Sequence, residues 1–249
     1  MKPIPLPDSR QESESHAMKR FYRAAAAVAS AQGFGVELDG KPMQTPAKNA
    51  LNVPSQALAE AIAAEWRSQG DTVNPLALPL TRLVSTAIDR VLPRRKEVIA
   101  EIAKYAGTDL LCYRAADPPE LAARQQTNWQ APLDWAAERF GARLVVTESI
   151  TPVEQLPAAL AAIERAIAAH DAMMLVALHL ATSACGSVVL GLALIEQRLS
   201  PAEAFAAAQL DESFQIERWG EDPEQTKRRA ALQDDIALAA RFAALLRDN

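Results

Sequence analysis

The hydrophobic period of this chain changes once, and that change limits the folds open to it. Phe34, Val36 and Leu38 alternate with Gly35 and Glu37, the two-residue period of a half-buried strand. The run meets Asp39-Gly40, a dipeptide that tolerates the positive φ angles of a two-residue hairpin, so 41–45 is predicted as the return strand. Pro42 and Pro46 cannot donate to a ladder and place that strand at an edge. Residues 51–53 predict one more short strand. From Ser55, a suitable N-cap, the period becomes helical: Leu58, Ile62 and Trp66 recur every four residues up to Gly70. Strands confined to 18–54 and helices thereafter give an α+β fold.

Proline and glycine then punctuate the chain as they do helices, proline at starts and glycine at ends. Pro75 and Pro79 mark a connector and the expected domain boundary. The predicted layout is a tail over 1–17, a small β-rich domain with one helix over 18–80, and a larger, mostly α-helical domain over 81–249. Val84, Ile88 and Leu92 predict one helical face. Pro93 opens a helix closing at Gly107, and Asp117-Pro118 opens another ending at Gly141, with Trp129 and Trp135 inside it. Residues 144–146 predict a short strand or an extended link. Thr151 with Glu154, and Ser200 with Glu203, have capping-box spacing. A long helix is expected from Pro201 to Trp219, stopped by Gly220, and a last one over 224–246. Hydrophobic residues form 49% of the chain, much of that alanine, and aromatics only 5%, a composition that favours helices over a large sandwich.

Several function classes fall away. Lys and Arg number 26 against 31 Asp and Glu and are scattered, so no basic stripe awaits nucleic acid. Cys112 and Cys185 stand far apart in apolar surroundings and predict buried, reduced thiols. Residues 173–195 carry no formal charge and could cross a bilayer by length alone. Polar residues at their middle, and Gly186, instead predict two packed core helices and no membrane span. Gly35 to Lys41 matches most of a phosphate-binding loop, but Pro42 stands where a magnesium-holding Ser or Thr is needed, and the intervening residues alternate as a strand. Gly33 and Gly35 begin a dinucleotide pattern that Leu38 breaks. His16, His170 and His179 are isolated, so no metal and no cofactor is expected.

The segment from Leu210 to Asp222 is the most informative. Wound at 100° per residue from Phe205 onward, it puts Phe205, Glu212, Ile216 and Trp219 on one face, and Leu210, Phe214 and Glu217 on another. Glu212 then sits in an apolar stripe, where a carboxylate is costly unless paired or used. Three readings stay open: a core salt bridge, a carboxylate that contacts a partner, or a catalytic acid, the last without any second catalytic group. Trp66 and Trp219 read as core anchors.

Taken in order, the motifs resemble those of the assembly chaperones for the α subunit of the F-type ATP synthase. They are Lys19-Arg-Phe-Tyr22, Leu38-Asp-Gly-Lys-Pro-Met-Gln-Thr-Pro46, the helix from Leu58 to Gln69 with its Glu65-Trp66, Pro79-Leu-Thr81, Thr86-Ala-Ile-Asp-Arg90, Tyr105 to Arg114, Gln125 with Trp129, Gly186-Ser187, and Asp211-Glu-Ser-Phe-Gln-Ile-Glu-Arg-Trp-Gly220. The resemblance covers nearly everything after the tail. It implies a small β-rich domain followed by a helical one, and a non-enzymatic chaperone that binds the unassembled α subunit, prevents its aggregation and hands it on. It implies no nucleotide and no metal. It carries critical acidic positions onto Glu212 and Glu217, with Asp211, Phe214 and Trp219 beside them as partner-binding residues, although Asp211 stands where relatives often have Glu. Trp66, Asp89 and Asp109 enter as structural members of its motifs. The chain shows no Arg-rich transit peptide, so a bacterial cytoplasm is expected, with a free protein that is monomeric. An enzyme using Glu212 or Glu217 in a cleft, and a permanent structural subunit, are the competing readings.

Overall fold

The computed structural model describes residues 18–149 and 151–248; the expected tail over 1–17 lies outside them. The chain forms two compact units. One runs to Pro93 and takes in the chain from Leu245 on, and the other is Arg94–Ala244.

The first unit holds all six strands found among the described residues. β1 (Met18–Lys19) pairs antiparallel with β6 (Thr72–Val73). β2 (Ala25–Ser30), β3 (Gly33–Leu38) and β4 (Lys41–Pro42) form an antiparallel meander, and β5 (Asn52–Val53) pairs with the start of β3. The hairpin forms where the sequence places it: Asp39 and Gly40 take φ of 49° and 75°, and Leu38 faces Lys41. The return strand is shorter than 41–45. After Pro42 the chain keeps one ladder bond, Met43 N–H to the Val36 carbonyl at 2.8 Å, and a Gln44–Ala50 bridge.

Helix α1 (Gln56–Arg67) starts at Ser55, whose hydroxyl accepts from Leu58 N–H at 3.1 Å. Its stripe of Leu58, Ile62 and Trp66 is buried against β2 and β3. Each such side chain stabilises the unit by about 1.5–3 kcal/mol. Helix α2 (Pro79–Thr86) is bound to α1 by Glu65, which accepts from Leu80 N–H at 2.6 Å, Thr81 N–H at 3.0 Å and Thr81 Oγ1 at 2.8 Å. That attachment makes α2 part of the first unit, whose limit falls after Pro93 rather than at 80. After α2 comes a wide π turn, Ala87–Val91. Its extra residue rotates the buried face onto Val84, Ala87 and Val91. Ile88 is only half-buried and Leu92 is 63% exposed, against the expected Val84, Ile88, Leu92 face.

The second unit is helical: α3 (Arg95–Ala103), α4 (Pro119–Phe140), α5 (Pro157–Ala168), α6 (Ala172–Cys185), α7 (Val188–Ile195), α8 (Pro201–Ala208), α9 (Leu210–Trp219) and most of α10 (Pro223–Arg247). Every residue of α7 is buried, which explains a helix apolar all round. Gly186, at φ 63°, separates α6 from α7, so the uncharged stretch over 173–195 is two helices of 14 and 8 residues. Among the described residues no helix is long and apolar enough to cross a membrane. Cys112 and Cys185 are buried, and burial pushes both thiols up to about 12.

Residues 144–146 form the extended link expected as the alternative to a short strand. Two expectations in this unit need correction. Thr151 caps no helix: Gln155 turns back to Val145, accepting from its N–H at 2.7 Å and donating to its carbonyl at 3.0 Å, and α5 begins only at Pro157. The long helix to Trp219 is two helices, because the backbone leaves helical geometry at Gln209, with φ −113° and ψ 25°. The Ser200–Glu203 capping box does form.

Candidate functional site: the α9 face

The break at Gln209 resets the phase of the segment, so the wheel drawn through Phe205 does not apply to α9. Leu210 and Phe214 are buried; Asp211, Glu212 and Ile216 are half-buried; Glu217 and Trp219 are exposed, Trp219 by 77%. Trp219 is therefore no core anchor. Trp66 is one, 9% exposed, with its Nε1 donating to Thr81 Oγ1 at 3.1 Å and its ring edge-on to Tyr22.

Helix α4 holds the acidic side of α9. Gln125, almost wholly buried, donates through Nε2 to Asp211 Oδ1 at 2.8 Å and accepts from Ala115 N–H at 2.7 Å. Its amide is oriented from both ends, which fixes the first turn of α9. Glu217 pairs with Arg124 at 2.8 Å, and Arg218 pairs with Glu120. The Phe214 ring lies under Arg218 at 4.2 Å and near Arg124 at 5.2 Å. Each stacking cation contributes roughly 0.5–1 kcal/mol at such exposed sites. From α10, Arg229 donates to Ser213 Oγ at 3.1 Å and lies over the Phe205 ring at 5.3 Å. Below, Trp129 is fully buried and donates to the Ala207 carbonyl at 2.8 Å.

Glu212 is the exception in this set. It makes no side-chain hydrogen bond or ion pair among the described residues. Among the described residues the core salt bridge considered from sequence is absent, and Glu212 is half-buried. Asp109 lies elsewhere in the unit, buried, accepting from Leu111 N–H at 3.1 Å and Val189 N–H at 3.2 Å to bind the start of α7. Asp89 lies in the first unit. Sequence reasoning missed Arg124 and Arg218 as partners of this face. Residues some 90 positions apart leave no periodic signal of their pairing.

These elements present a charged and aromatic face carried on packed helices, and the class is that of the chaperones: residues 19–137 match the pattern of the family described as ATP12 chaperone protein. The crystal structure of Atp12 from Paracoccus denitrificans superimposes with a TM-score of 0.89 at 38% identity, covering 92% of this chain and 99% of that one. A putative chaperone from Agrobacterium tumefaciens matches with a TM-score of 0.87 at 41% identity, over 92% of this chain and 86% of that one. Mitochondrial protein atp12 of Schizosaccharomyces pombe is 26% identical over 230 residues, 88% of this chain and 76% of its own. This chain belongs to the ATP12 chaperone family.

Proposed function

We propose that this protein is a non-enzymatic assembly chaperone that binds the unassembled α subunit of the F-type ATP synthase through α9 and releases it for assembly of the catalytic hexamer. The observation that carries this reading is Glu212, half-buried and without a partner among the described residues, on the same helix as the exposed Trp219. A free subunit exposes apolar surface that it later buries against its neighbours, and such patches aggregate. A face of aromatic and apolar contacts edged with carboxylates covers that surface while leaving specificity to charge. Glu217, held by Arg124, and Asp211, held by Gln125, fix the acidic positions in space. The protein acts as a monomer in a bacterial cytoplasm, without cofactor, nucleic acid or membrane span.

The test is co-expression of the tagged protein with the α and β subunits from one source. Capture of α alone, lost in Glu212→Lys or Glu217→Lys while the variant stays folded, is the expected result. Failure to capture α, with α aggregating as it does in the absence of this protein, would overturn the proposal. Lasting co-purification with the assembled synthase would instead mark a structural subunit.

A further inference from the structure

The first unit carries a cavity of about 1130 Å³ that the α9 face does not explain. This exceeds the roughly 300–1,000 Å³ of ordinary small-ligand pockets. Its wall includes Met18, Phe21 and Leu76, which are 52%, 61% and 55% exposed, so the opening carries apolar side chains in water. Trp66 and Met43 stand deeper in it.

The charge around that apolar surface is unbalanced. Lys41, Lys48 and Arg82 line it, and none of the three makes an ion pair among the described residues. The two acids on the wall are already engaged. Asp39 accepts from the N–H groups of Arg23 at 3.0 Å and Ala24 at 2.8 Å. Asp89 accepts from Thr45 Oγ1 at 2.6 Å, Asn49 Nδ2 at 2.8 Å and Ala47 N–H at 3.0 Å. Burial pushes the Asp89 carboxyl up, but these three bonds and the neighbouring Arg90 outweigh it and hold the group below its ordinary value. Asp89 thereby clamps the turn over 45–49. Within that turn Lys48 adopts φ 69°, a left-handed conformation unfavourable for a residue with a side chain. A strained lysine in a turn held by the Asp89 clamp is a positioned cation at the cavity wall.

The walls also suit an extended chain. β1 and β6 pair only with each other, so among the described residues each leaves its outer edge unpaired, and Met18, Thr72 and Val73 all line the cavity. Open strand edges give backbone hydrogen bonds to an added peptide, and pockets beside them sort its side chains.

From these observations we infer that the cavity of the first unit docks an extended segment of the client polypeptide in which apolar residues alternate with acidic ones. The inference rests on the chaperone reading and adds a second contact, remote in sequence from α9. Apolar side chains fill the space between Phe21, Leu76 and Trp66, and carboxylates meet Lys41, Lys48 and Arg82.

Three fluorescent twelve-residue peptides test it on the full-length protein: alternating Leu and Glu, alternating Leu and Lys, and alternating Ser and Glu, each titrated by anisotropy. The Leu/Glu peptide is expected to bind at least tenfold more tightly than the other two. Lys48→Glu, fully surface-placed, and the double variant with Arg82→Glu should weaken it by tenfold or more, with circular dichroism unchanged. Equal binding of the Leu/Lys peptide, or no binding of any peptide, overturns the inference. So does a dimer, seen by light scattering, that the charge reversals dissociate, since the occupant would then be a second copy. Tighter peptide binding after removal of residues 1–17 likewise points to the chain's own N-terminal segment as occupant. Capture of the α subunit by Lys48→Glu separates the two proposals: retained capture without peptide binding sinks the cavity alone, whereas peptide binding without capture by the unsubstituted protein sinks the α-subunit reading alone.

Discussion

At the scale of single residues, burial and hydrogen bonding separate side chains that hold the fold from those that stand in water. Trp66 fills the interior between α1, α2 and Tyr22, so Trp66→Ala should destabilise the first unit by about 3–5 kcal/mol, read from urea unfolding. Asp109 behaves differently. Burial pushes its carboxyl up to about 6, offset only in part by bonds from Ser187 and the backbone N–H groups of Leu111, Val189 and Val188. The folded state therefore holds the proton more tightly than the unfolded one. Its contribution to stability is fully present below the unfolded value of about 3.9 and is lost as pH rises to about 6, a change of roughly 3 kcal/mol. Hydrogen exchange of the first α7 amides should slow as pH falls through that window after correction for intrinsic rates, and Asp109→Asn should abolish the effect. Trp66 was legible as a core anchor from its place in a four-residue repeat. Trp219 was read the same way and is exposed, because side-chain type alone does not say which end of a helix meets the core.

At the scale of elements, local signals succeeded where the backbone groups they satisfy are also local. Asp39-Gly40 makes its hairpin, Ser55 caps α1, and Ser200 with Glu203 closes a capping box. Ser200→Ala should cost about 1 kcal/mol, measured as a fall in the unfolding midpoint. The same spacing at Thr151 and Glu154 fails because Gln155 finds a better partner in the Val145 backbone, ten residues away. Helix packing adds a constraint that spacing does not reveal. A Cβ on Gly191 would lie 2.5 Å from Thr182 Oγ1 and 3.1 Å from its backbone nitrogen, so α6 and α7 meet backbone to side chain at this point. Gly191→Ala should destabilise the second unit by roughly 1–3 kcal/mol despite its better helix propensity, again read from unfolding.

For the whole molecule, stability and capture should respond to different substitutions. The Glu217–Arg124 pair is about half exposed on both sides, and such surface pairs contribute only about 0–1 kcal/mol. Among the described residues Glu212 has no partner to lose. Glu212→Lys and Glu217→Lys are therefore expected to unfold within about 1 kcal/mol of the unsubstituted protein while losing the α subunit in the capture assay. A large loss of stability in either would recast these acids as structural. The sequence by itself determined the segregation of strands from helices, the hairpin, most helix starts and the ordered motifs by which the chain resembles its family. Those features depend on periodicity and on residues a few positions apart. Only the tertiary structure decided the π turn after α2, the break at Gln209, the pairing of α4 with α9, and the cavity beside β1 and β6. Each of these arises from side chains that meet across long stretches of chain, where packing and desolvation, rather than local propensity, choose among conformations that the local sequence permits.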